Sequence, residues 1–81
     1  MKKHITAEEF EQMMMAMIAL VIEDSDVNEA VDNETGFEGA AELMINVRSY
    51  EQVGMMTRDR GFVVLCSDGT EFRCTIQEAH R

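Results

Sequence analysis

Eighty-one residues with 46% hydrophobic content, no proline and a net charge of −9 describe one folded domain, since a disordered acidic tail would lack this much apolar material. All of that charge sits in the first half. Eleven carboxylates and no lysine or arginine lie between His4 and Val47, whereas five arginines balance five acids from Arg48 onward. Such a field repels nucleic acid and anionic membrane and steers encounter toward basic surfaces.

Thr6 followed by Glu9 forms a capping box, flanked by Ile5 and Phe10 as a hydrophobic staple. These signals start a helix at Ala7 that runs to about Glu23, ~25 Å at the standard rise. From Met13 to Ile22 every face is apolar, so the helix needs cover on more than one side. The run is ten residues, about half of what a bilayer span requires. Glu23, Asp24 and Asp26 follow at the negative end of the helix dipole, where Lys or Arg would be the stabilising choice.

A short second helix is expected over Asp26 to Asn33, capped by Ser25, burying Val27, Ala30 and Val31, with Glu34-Thr35-Gly36 breaking it. From Phe37 the odd positions are apolar or small up to Val47, which favours a strand over about Ala41 to Ser49 against a competing helix. Met55 to Thr57 reads as a short strand, with Arg58-Asp59-Arg60-Gly61 as the turn after it. Asp68-Gly69 then predicts a hairpin between 62–66 and 71–77. A two-residue turn pairs Leu65 with Phe72 and Val63 with Cys74, giving a core face of Val63, Leu65, Phe72, Cys74 and Ile76. The expected fold is α+β: a long helix and a short one on a three- to four-stranded antiparallel meander.

The chemistry-bearing residues form no catalytic set. His4 and His80 flank the domain, no Gly-rich phosphate loop is present, and no Ser or Cys has a His and a carboxylate in a recognisable arrangement. The same register puts Cys66 and Cys74 on opposite faces, which excludes a disulfide, and with only two histidines their spacing fits no zinc module. Asp24, Asp26, Asn28 and Asp32 match part of a calcium loop, but Glu29 replaces its glycine and Thr35 its final glutamate. Neither cofactor nor metal is expected. The basic start at Lys2 and Lys3 is separated from the apolar run by Glu8, Glu9 and Glu11, unlike a secretory leader, and two cysteines suit a reducing compartment. The expectation is a cytoplasmic protein, off the membrane.

A non-enzymatic binding role fits best. Glu23, Asp24, Asp26, Glu29, Asp32, Glu34, Glu38 and Glu42 are the candidate partner-binding residues, imitating a phosphate backbone and occupying a basic surface that normally holds DNA or RNA. In size and charge the chain resembles the short inhibitors that phages and mobile elements encode against host nucleic-acid machinery, anti-CRISPR proteins among them. That resemblance rests on no shared motif. It implies a stoichiometric inhibitor that does not itself bind nucleic acid. The alternative is a homodimeric structural or adaptor module whose Met-rich helix meets its symmetry mate through Met14, Met17, Ile18 and Val21, with the charge serving solubility.

Overall fold

A computed structural model describes residues 4–79; Lys2, Lys3 and His80 lie outside them. Helix α1 spans Ala7–Glu23 and α2 spans Ser25–Thr35. A single 3₁₀ turn, Ala41–Leu43, leads into β1 (Met44–Ser49), followed by β2 (Arg60–Cys66) and β3 (Glu71–Ile76). The strands form one antiparallel sheet in the order β1-β2-β3. The α+β meander expected from the sequence is the observed architecture.

The amino end of α1 is built by the capping box: Glu9 N–H donates to Thr6 Oγ1 at 3.1 Å, and Thr6 N–H to Glu9 Oε1 at 3.0 Å. At the other end Asp24 serves both helices. Its N–H closes α1 on the Leu20 carbonyl, and its carboxylate accepts from the N–H groups of Asp26 and Val27 as the cap of α2. The second helix therefore begins a residue earlier than expected, with Asp24 and not Ser25 as its cap. Gly36 ends it in the left-handed conformation, φ +78°. Asn28 is buried, and its side-chain amide donates to the Val21 carbonyl, one of the orphan acceptors of α1. Val27 and Val31 are half-buried as expected, but Ala30 is exposed.

Register is where the sheet departs from expectation. Val64 pairs with Phe72, Phe62 with Cys74 and Leu65 with Glu71, one residue away from the pairing a two-residue turn would give. Cys66 accepts from Gly69 N–H and donates to the Thr70 carbonyl, so the loop is the three residues Ser67, Asp68 and Gly69. Among the described residues only glycines take positive φ, Gly69 at +90° included. A type I′ Asp-Gly turn needs positive φ at both central residues, and Asp68 does not supply it. The Thr70 N–H donates to Asp68 Oδ1 at 2.9 Å and holds that carboxyl below the usual carboxylate range.

A one-residue slip exchanges the two faces of a strand. Phe62, Val64 and Cys66 are the buried set beneath the helices, with Cys74 and Ile76 half-buried beside them, whereas Leu65 opens outward. Val63 is buried on the opposite face, and Phe72, though on the helix-side face, is 56% exposed because α1 packs on β1 and β2 more than on β3. Cys66 and Cys74 consequently share a face, correcting the expected arrangement. Both are free thiols: Cys74 sits opposite Phe62, four residues along β2 from Cys66 or ~13 Å, beyond disulfide reach.

The first strand starts at Met44, not Ala41, and carries an irregularity between Met44 and Asn46 that leaves Ile45 unpaired and half-exposed. Residues 55–57 are not a strand, and Arg60 and Gly61 belong to β2 and not to a turn. After Ser49 the chain turns away from the sheet. Tyr50 N–H still donates to the Gly61 carbonyl, but the Tyr50 carbonyl turns to Met55 N–H, so Gly61 N–H has no strand partner. Glu11 of α1 replaces it, accepting that N–H at 3.0 Å through Oε2.

Candidate functional site

Helix α2 presents Glu29 and Asp32 one turn apart, with Ser25 and Asn28 at neighbouring helical positions and Gly36 at its carboxyl cap. Opposite them the connection from Gly36 to Met44 folds back across α2. It is held there by Asp32, whose two carboxylate oxygens accept from Gly39 N–H at 3.1 Å and Ala41 N–H at 3.0 Å. The result is an open groove of about 960 Å³ between α2 and the connection, reached also by the last turn of α1. Glu23, Glu29, Asp32, Glu38 and Glu42 line it, and no Lys or Arg does.

Five of the eight acids singled out from the sequence thus share one concavity. Asp24, Asp26 and Glu34 do not line it. Asp24 caps α2 and Asp26 lies in its first turn, the positive end of a helix dipole, which accounts for two of the three acids that crowd the end of α1. Glu23 is left without such an account. It closes a helix whose last turn holds no basic residue, a placement that costs a few tenths of a kcal/mol, and it points its charge at the groove.

The groove acids also divide by role. Asp32 is half-buried and spends both oxygens on backbone N–H groups, so it shapes the groove. Glu23, Glu29, Glu38 and Glu42 are exposed and have no ion-pair partner among the described residues. Four like charges held around one hollow repel each other and attract a polycation.

A second cluster was not legible in the sequence. Glu11 is the most buried large side chain, 2% exposed, in a helix otherwise without a buried residue. Oε2 takes the Gly61 N–H, while Oε1 takes the Gln12 amide at 3.0 Å and faces the Arg60 guanidinium at 3.7 Å. Arg60 also reaches Glu8 at 3.5 Å and Glu51 at 3.8 Å. Beside them lies a hollow of about 330 Å³ whose wall includes Tyr50, Thr57 and Arg58. With both oxygens engaged, Glu11 is a joint between α1 and β2. Its only sequence signal is an acid two residues before an apolar run.

The calcium-loop match fails in the backbone, because Ser25–Thr35 is α-helical and cannot wrap a cation. Among the described residues no three His, Cys, Asp or Glu side chains come together to hold a metal ion. No helix among them is long and apolar enough to cross a membrane. Of the four residues named for a helix-mediated dimer, Met17 is 60% exposed, while Met14, Ile18 and Val21 are half-buried toward the domain. No protein-family model, no curated protein and no solved structure matches the chain.

Proposed function

We propose that this chain is a non-catalytic binding protein that presents the α2 groove to a basic surface of a nucleic-acid-handling protein and blocks it, as a stoichiometric inhibitor of the phage or mobile-element type. The observation that carries this reading is the gathering of Glu23, Glu29, Glu38 and Glu42 around one open groove with no basic side chain in its wall. Dispersed acids suffice for solubility, and concentrating them in a concavity only adds self-repulsion. Duplex DNA presents one charge per ~1.7 Å of axis, so a channel built for it offers Lys and Arg at a density that a four-carboxylate cluster can engage. The same reading places the protein in the cytoplasm, in keeping with its two free thiols.

The test is affinity capture from lysate, comparing the native chain with a Glu23→Gln/Glu29→Gln/Glu38→Gln/Glu42→Gln variant that spares Asp24 and Asp32. A nucleic-acid-binding protein should be retained by the native chain, elute steeply with salt, and be lost from the variant. The variant should fold with unchanged or slightly raised stability, because like charges have been removed from exposed positions. Equal retention by both proteins would overturn the reading.

A further inference from the structure

We propose that the outer face of α1 is the seam of a homodimer, in which the helix packs antiparallel on α1 of a second copy. The inference is independent of the groove.

Phe10, Met13, Met17 and Leu20 are 42%, 48%, 60% and 52% exposed, although all four belong to the apolar helix at the centre of the fold. Their spacing of three, four and three residues is the a/d repeat of a coiled-coil seam, so they form one stripe ~15 Å long. The face turned to the sheet and α2, about a third of a turn round the helix from this stripe, is centred on Glu11, Met14, Ile18 and Ile22. One monomer therefore covers one side of a helix that is apolar on all sides. No element among the described residues covers the other.

Three features select a second copy as the occupant. The first is that the stripe is self-complementary. Turned end for end about a point level with Met15, Phe10 faces the partner's Leu20 and Met13 faces the partner's Met17, and the small, exposed Ala16 at the flank lets the axes approach closely.

The second is charge. From Gln12 to Ile22 the helix carries no charged residue, so two copies meet there without burying an ion. Antiparallel pairing brings the positive end of each helix dipole to the Glu23, Asp24 and Asp26 end of the other; Glu8 and Glu9 in that first turn add like charge there, so the ends repel and the uncharged centre of the seam supplies the attraction. Parallel pairing would set those acids against their own copies. A basic partner would find no carboxylate on this stripe to engage.

The third is area. Four half-exposed side chains of this size leave roughly 400 Å² of apolar surface, about half of the ~800 Å² per partner in a standard interface. Flanking Ile5, Gln12 and Ala16, all exposed, supply the rim.

Sedimentation velocity on the full chain reads this directly. At ~100 µM the native protein should show twice its 9.2 kDa mass. Because each copy carries −9, the association should tighten as salt rises from ~50 to ~500 mM, the reverse of attraction between opposite charges. Met13→Glu/Met17→Glu should weaken it on the order of 100-fold by placing charge in the seam. Both positions are solvent-exposed in the monomer, so circular dichroism should report a native fold. Met17→Gln is the milder variant should the double change unfold the chain, and should still weaken the association. A 9.2 kDa species throughout, an association that salt dissolves, or a folded double variant that remains dimeric would each overturn the proposal.

Discussion

Gly61→Ala should unfold the protein or cost ~3 kcal/mol or more, the largest effect expected of any single methyl group added to this chain. A Cβ at this position would land on the Cys74 carbonyl oxygen of the neighbouring strand and within 2.7 Å of Tyr50 Cζ. The Tyr50 ring lies over Gly61, and its hydroxyl bonds Thr75 Oγ1 at 2.7 Å across the top of β3. That ring is 5% exposed and cannot retreat without giving up the hydrogen bond and its burial. The Cys74 carbonyl is backbone and cannot swing aside. A domain of this size has about 4–12 kcal/mol of stability in total, so a fall in the urea midpoint by about a quarter or more is the expected reading. Substitution at the exposed Gly39, where a new Cβ meets no atom within 4 Å, involves only the strain of positive φ and should cost about 1 kcal/mol.

Glu11→Ala should destabilise the fold by about 2–4 kcal/mol, an unusual cost for removing a carboxylate from a protein with nine surplus negative charges. On charge alone the change should help. The loss arises because Gly61 N–H, abandoned by the turn at Tyr50, would be buried without an acceptor, and because Arg60 would lose the carboxylate that holds it against α1. Arg60 is 38% exposed, so water screens the ion-pair part and most of the cost belongs to the orphaned N–H. Glu11→Gln separates the two contributions. Its amide oxygen can still accept from Gly61, and its cost should be about 1 kcal/mol, read as a change in thermal or urea midpoint at fixed salt. Equal losses for Ala and Gln would show that the charge, not the hydrogen bond, is what matters.

Both residues illustrate what sequence patterns can and cannot deliver. The start of α1 was legible because Thr6 and Glu9 satisfy each other's backbone partners three residues apart, entirely within local sequence. Glu11 was not, since its partner Gly61 is fifty residues away and is an ordinary N–H until Tyr50 turns its carbonyl aside. The Asp68-Gly69 hairpin was legible as a turn but not as a register. Whether Asp68 takes positive φ decides between a two- and a three-residue loop, and that single choice moves Val64 and Cys66 into the core and Leu65 out of it.

The acidic groove was half visible. Counting charges found the acids, but their gathering depends on the phase of α2 and on Asp32 pulling the 36–44 connection back across that helix. A charge count treats Asp24 and Asp32 as equivalent to Glu29 and Glu42. Hydrogen bonding separates them, because the first two are occupied with backbone N–H groups and the last two face solvent. That α1 needs cover on more than one side was legible from the apolar run Met13 to Ile22, while the stripe that stays exposed became visible only once Glu11 fixed the helix's rotation on the sheet.

Under the two proposals the groove and the α1 stripe should respond to salt in opposite directions, which keeps them separable. An acid–base contact weakens as ions screen it, and a seam between two −9 chains strengthens. A dimer built on α1 would carry two acidic grooves related by a two-fold axis, each still open at α2.

Competition against nucleic acid tests the central claim most directly. The protein captured on the native chain is challenged, at constant ionic strength, with DNA and RNA oligonucleotides, and its release is followed against oligonucleotide concentration. The account predicts that an oligonucleotide displaces the partner and that the Glu23→Gln/Glu29→Gln/Glu38→Gln/Glu42→Gln variant captures nothing to displace. A partner that holds nucleic acid and this chain at the same time, with no loss of either, would contradict it.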